Sequence, residues 1–276
     1  MSVAERIPGV HFVRLLFRNH SLVYQLVRRD FEQRYVGSIV GWVWGLIHPL
    51  VLLGVYTFVF VHAFRQRLPA AEPTDNYPIF LFAGMLPWLL FSETLQRSAS
   101  SLVEYTNLIK KSIFPAEVVP LSIFLSTLIS HFLAMALLLI VVGVWLHPLG
   151  LAVLVLPVYL VLLGLLSLGL SWIAAGLHVY VRDTAQVLSV VLTAWFWLTP
   201  IFLFEDLFTS GFEGRLHLLL KINPLVYVVR GYRDSILGNQ LPAWQDLAVL
   251  AAFSVGAFLA GGLFFRYSKR GFADVL

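Results

Sequence analysis

Apolar residues gather along the chain into six runs that reach the length of about twenty residues needed to cross a bilayer: 39–64, 77–95, 118–146, 149–177, 187–204 and 247–265. The connections are short and no repeat of fixed period is present, so one membrane domain over 1–276 is expected, all-α with six transmembrane helices. The third and fourth runs exceed a hydrocarbon core of about 30 Å at about 1.5 Å per residue, and should tilt or project beyond it.

Two further stretches have helical periodicity but not the length. Over 19–36, Val23, Val27, Phe31 and Tyr35 form one row, while Arg18, Gln25, Arg29 and Glu32 lie on another side. That pattern predicts an amphipathic helix in the plane of the membrane surface, as a lipid anchor or a docking face. Between the fifth and sixth runs, residues 205–245 are too apolar for a plain loop, yet Leu216–Ile222 and Pro224–Val229 are too short to cross. Short re-entrant helices fit this region, the second starting at Asn223 and Pro224, with Tyr227, Arg230 and Asp234 on one face and Arg230 able to pair with Asp234. Gly37, Gly41 and Gly45 fall four apart where the first run begins, which on a helix would make a smooth stripe for close helix packing, flanked by Trp42 and Trp44.

Composition supports the membrane reading. The chain is 59% hydrophobic and only 12% charged, about half the charged share, roughly a quarter, of a soluble domain. The net charge of +4 does not point to nucleic acid, because the basic residues flank apolar runs and form no basic domain. Of the nineteen Lys and Arg, all but Arg65, Arg67, Arg215, Lys221, Arg230 and Arg233 fall on one side if the N-terminus is inside, which predicts cytoplasmic termini. The arginines among the first apolar residues interrupt any cleavable signal core, so the N-terminus is expected to remain. Two cytoplasmic connections follow: an elbow over 100–117 containing NLIKKSIFPAE, and a brief turn at Arg182 and Asp183. Such elbows are either simple turns or points that receive force from a soluble motor.

Candidate chemistry is sparse. There is no cysteine, no HExxH, no GxSxG and no phosphate-binding GxxxxGK[ST], so any ATP-driven function needs a second polypeptide. Glu93 precedes Arg97 by four residues and is expected to pair with it, and His48, next to Pro49, to bond a carbonyl that the proline frees. No relay of buried carboxylates suggests a proton-coupled carrier. Aromatic surface is plentiful: Trp42, Trp44, Tyr56, Trp88, Phe91 and Trp195 offer ring faces that suit a sliding sugar polymer, or else serve as interfacial belt and core.

In order, RDFEQRYVGSIVGWVWGLIHPL, NLIKKSIFPAEVVPLS, VYVRD and INPLVYVVRGYRDSILG resemble the membrane subunit of bacterial type 2 ABC exporters, and more narrowly the permeases that export O-antigen, capsule and teichoic-acid polysaccharides on lipid carriers. The resemblance covers nearly the whole chain. It implies a homodimer in the bacterial cytoplasmic membrane with two separate ATPase subunits, which bind ATP and Mg; no cofactor is expected on this chain. It also implies roles. Asn107, Lys110, Lys111, Phe114 and Pro115, with Arg182 and Asp183, would meet the ATPase. Arg28, Arg29, Asp30 and Arg34 would lie near the motor or the lipid phosphates. Asn223, Pro224, Tyr227, Arg230, Arg233 and Asp234 would belong to an external gate. The alternatives are a permease for small lipids or drugs and, from another class, an intramembrane enzyme acting on polyprenyl-linked sugars.

Overall fold

The structure is a computed structural model that describes residues 19–69, 72–110, 114–202 and 215–275. Among these the chain is an all-α membrane protein. Helix α1 spans His20–Tyr35. Five helices long and apolar enough to cross a membrane are α2 (Gly41–Ala63), α3 (Tyr77–Glu104), α4 (Val118–Trp145), α5 (Leu151–Tyr180) and the continuous segment Trp244–Gly271. Between the last two lie α6 (Thr184–Leu198), α7 (Arg215–Ile222) and α8 (Pro224–Ile236), followed by α9 (Trp244–Ser268).

Helix α3 is the axis of the bundle. It is the least hydropathic of the five long helices and the most buried, because its surroundings are other helices rather than lipid. Asn76 caps its start by accepting from the Ile79 amide, 3.3 Å, with Pro78 in the first turn. It runs on to Glu104 rather than ending near Leu95. The added turns are rich in serine, and Ser98, Ser101 and Leu102 are enclosed by protein.

Helix α6 departs from expectation. Instead of a span over 187–204 it is a helix of 15 residues, about 22 Å long at about 1.5 Å per residue. Pro200 disfavours helical geometry at Thr199, and the chain turns there into the bundle. The carbonyls this turn leaves exposed are taken by Arg233 on α8, whose guanidinium donates to Pro200 O at 2.8 Å and Ile201 O at 2.7 Å.

The glycine stripe is also revised. Gly37 and Gly41 have φ of +78° and +61°, the first in the turn after α1 and the second at the first residue of α2, with nothing within 4 Å of where a Cβ would stand. Their spacing reflects two left-handed turn positions. Gly45 alone marks a close approach, since a Cβ there would lie 3.1 Å from the Tyr35 hydroxyl and 3.2 Å from Ser130 Oγ. The tightest seam lies elsewhere, where Gly169 of α5 meets Gly261 of α9 backbone to backbone.

One end of the bundle collects the elbow, the Arg182 turn and α1. Arg29 lies over the Tyr105 ring at 5.8 Å, Gln96 reaches Ala185 O at 3.3 Å, and Lys269 pairs with Glu117 at 2.8 Å. At the opposite end His147 is bonded to Leu237 O at 2.9 Å and the Tyr77 hydroxyl to Phe202 O at 3.4 Å.

Candidate functional site

The face of α1 that meets the bundle is set by the row Leu26, Asp30 and Arg34, spaced one turn apart; Leu26 and Asp30 are buried. Two of these three residues are charged, so burial requires partners. Helix α3 supplies them. Arg97 donates to Asp30 Oδ1 at 2.6 Å, and Arg34 pairs with Glu93 Oε1 at 2.7 Å. Arg34 also donates to Thr127 Oγ1 of α4 at 2.6 Å, and its own-helix neighbour Asp30 is 3.7 Å away. The expected pair between Glu93 and Arg97 along one helix is thus replaced by two pairs between helices. Burial lowers the pKa of Arg34 from its ordinary value, and the charge of Glu93 opposes that most strongly.

Above this quartet opens a cavity of about 720 Å³ between α2, α3, α4 and α6. Arg34, Glu93 and Arg97 form its charged end, and Ser92, Gln96, Thr127, Ser130, Ser189 and Thr193 add hydroxyl and amide groups. Its walls are Trp44, Tyr56, Trp88, Phe196 and Trp197. Tyr56 and Trp88 both contact Phe196, at 6.2 Å and 5.3 Å between ring centres, so three elements share one aromatic cluster. A surface of this kind can hold the C–H face of a ring while its polar end solvates hydroxyl groups.

The other aromatic candidates are placed differently. Trp42 is exposed and does not line the cavity. Phe91 is fully enclosed, which leaves it no ring face to offer a solute. Trp195 packs edge-on against Phe91 at 5.2 Å and donates its indole N–H to Asn223 Oδ1 at 2.9 Å. His48 lines the cavity, and among the described residues it forms no side-chain bond to a carbonyl freed by Pro49.

At the surface that α1 shares with the elbow, Asn107, Lys110, Arg182 and Asp183 are exposed, and Phe114 and Pro115 are half-buried. Lys111 lies outside the described residues. Arg28 pairs with Glu32 at 2.7 Å on the exposed side of α1, near exposed Arg29. Arg34 and Asp30, by contrast, are committed inside the quartet. Arg28 and Arg29 are thus the exposed arginines of this helix, and Arg34 is not.

The proposed gate residues of α8 are mostly core. Pro224, Tyr227 and Arg233 are buried. Asn223 caps α8 by accepting from the Leu225 amide at 3.1 Å, and donates to Thr199 Oγ1 at 3.1 Å, fastening α8 to the end of α6. Arg230 reaches beyond its own helix to Asp246 at 2.5 Å. Arg233 and Thr127 were not legible as fastening residues, although a charge inside an apolar helical run is itself the signal of an internal partner.

The ABC-2 type transporter family model matches residues 21–237. The chain belongs to that family. It is 32% identical over 268 residues to an O-antigen export system permease protein RfbA of Myxococcus xanthus, covering 96% of this chain and 99% of the relative. An RfbA of Klebsiella pneumoniae, described in the same words, is 26% identical over 261 residues, 92% of this chain and 95% of that one. The polysialic acid transport protein KpsM of Escherichia coli is 24% identical over 258 residues, 88% and 92% of the two chains. The family match begins within α1 and ends just beyond α8, so it includes the quartet, the cavity and the fastening of α6 to α8.

Proposed function

We propose that this chain is the membrane permease of an ATP-driven exporter that moves a lipid-linked polysaccharide out across the bacterial cytoplasmic membrane. The carrying observation is its similarity over nearly its whole length to relatives named as O-antigen export permeases. The aromatic cavity supports that reading, because ring faces hold a sugar without a fixed hydrogen-bond pattern and so tolerate a chain that must slip past.

In this reading two copies form the passage, and two separate ATPase subunits dock where α1, the elbow at Asn107, Lys110, Phe114 and Pro115, and the Arg182–Asp183 turn share one end of the bundle. That end and both termini face the cytoplasm. Arg28 and Arg29 attract the lipid carrier's phosphates there. Trp44, Tyr56 and Trp88 guide the glycan. ATP and Mg belong to the partner subunit, whose cycle moves the elbow.

Deleting the gene tests the proposal directly. Surface glycan should disappear, lipid-linked glycan should accumulate inside, and the intact chain should restore export with its ATPase. Normal surface glycan in the deletion strain would sink the reading. In the restored strain, W44A, at an exposed ring of the cavity wall, should reduce export while leaving protein level and ATPase association unchanged.

A further inference from the structure

The four charges beneath the cavity have a property that no single ion pair has. Asp30 and Arg34 are one turn apart on α1, and Glu93 and Arg97 are one turn apart on α3. Each helix therefore carries its own acid and its own base at pairing distance. The structure holds the crossed arrangement, Asp30 with Arg97 at 2.6 Å and Arg34 with Glu93 at 2.7 Å. If α1 withdrew from α3, Asp30 would close on Arg34, already 3.7 Å away, and Glu93 on Arg97. Neither arrangement strands a buried charge, which is the usual penalty for breaking such a pair.

The attachment of α1 suits such an exchange. Half of its residues are exposed, only Leu26 and Asp30 are buried and Arg34 is half-buried; the helix lies along α4, and its contact with α3 is made through the charged side chains. Its only covalent tie to α2 is a turn built on Gly37 and Gly41, both at positive φ and both with open space where a side chain would stand. The opposite partners, Glu93 and Arg97, line the cavity itself. We infer that Asp30, Arg34, Glu93 and Arg97 are a two-state charge latch, hinged at Gly37 and Gly41, which binds α1 to the cavity wall in the crossed pairing and releases it in the within-helix pairing. This rests on the reading that α1 faces an ATPase, and makes the latch the point where motor movement enters the cavity.

The chain has no cysteine, so spin labels at Q33C and V103C, exposed positions on α1 and α3, report the separation of the two helices with no background from this chain, in complex with a cysteine-free ATPase. The label pair is measured in the chain–ATPase complex in nanodiscs. Reversing the charges on α1 alone, D30R with R34D, makes both crossed pairs repulsive and keeps both within-helix pairs. The released population should grow by about tenfold or more. Adding E93R and R97E restores the crossed attractions, and should bring the distribution back toward that of the unswapped chain. An α1 swap with an unchanged distribution, or a fourfold swap no closer to the unswapped chain than the α1 swap, overturns the latch. The unswapped chain provides a check that needs no swap: two separations should exchange weight between nucleotide-free and vanadate-trapped complex, and a single separation in both states also overturns it. Glycan export is scored separately, so a complex that switches but exports no polysaccharide rejects the proposed cargo while leaving the latch intact.

Discussion

Arg233 lies with its guanidinium carbon 3.5 Å from the centre of the Phe80 ring, and from that position its N–H groups reach carbonyls of two separate segments. Phe80 O is 3.3 Å away on α3, and Pro200 O and Ile201 O are at 2.8 Å and 2.7 Å in the turn after α6. The side chain is buried, and in the turn after α6 it satisfies two carbonyls that have no helical partner of their own. R233A would leave those acceptors unpaired and is expected to cost about 3 kcal/mol or more, lowering the apparent melting midpoint of the purified chain by roughly 6 °C or more. R233K should be nearly as damaging, because an ammonium cannot reproduce the planar fork. A thermal melt of R233K that overlays the unmodified chain would remove Arg233 from this role.

The class of the fold was legible because apolar runs of crossing length, in a chain this poor in charge, are seldom anything but membrane helices. What escaped depended on partners. Helix α3 continues past Leu95 through polar residues that hydropathy assigns to a loop, and they remain helical because neighbouring helices enclose them. The early end of α6 did have a signal in Pro200, hidden by the apolar residues around it. Glycine spacing could not separate a helical stripe from a turn, since residues four apart say nothing about φ. The acids and bases of the quartet were visible as two pairs at helical spacing, but the crossed pairing is a tertiary choice. Among the aromatics, Trp88 and Phe91 look alike in sequence and differ only in which side of α3 faces the cavity.

Gly169 and Gly261 allow α5 and α9 to meet without side chains between them. A Cβ on Gly261 would stand 2.0 Å from Gly169 O, and one on Gly169 would stand 2.3 Å from Ala257 O. Backbone cannot swing aside as a flexible side chain can, so G261A should destabilise by about 1–3 kcal/mol and G261V by more. Gly256, on the same helix, has nothing within 4 Å, and G256A serves as the control. Equal melting behaviour for G261A and G256A would show that the seam tolerates separation.

The turn at Gly41 gives an expectation opposite to that of a packing stripe. With φ at +61° and open space around it, the position resists any L-residue for conformational reasons and not for lack of room. G41A should cost about 1 kcal/mol, G41N less, and a β-branched G41V more. A packing seam would instead rank these by size, with alanine best tolerated. The order of melting midpoints for the three variants separates the two accounts.

The elbow is fastened to the bundle through Glu117. Its carboxylate accepts from Lys269 Nζ through both oxygens at 2.8 Å, and its carbonyl accepts from the Trp172 indole at 3.2 Å. Lys269 follows the end of α9 and Trp172 belongs to α5, so one residue ties the elbow to two long helices. The carboxylate is 19% exposed and the ammonium 37%, which places the pair between a solvated and a buried one, worth about 1 kcal/mol. That is small against the stability of the whole bundle but large for the position of a short connection. E117Q should therefore leave the melting midpoint within about 2 °C of the unmodified chain while weakening co-purification of the ATPase subunit. K269E should do the same, and the exchanged pair E117K with K269E should recover binding at least in part. Recovery in the double variant attributes the effect to the ion pair, whereas two additive losses would assign Glu117 and Lys269 separate roles at the docking face.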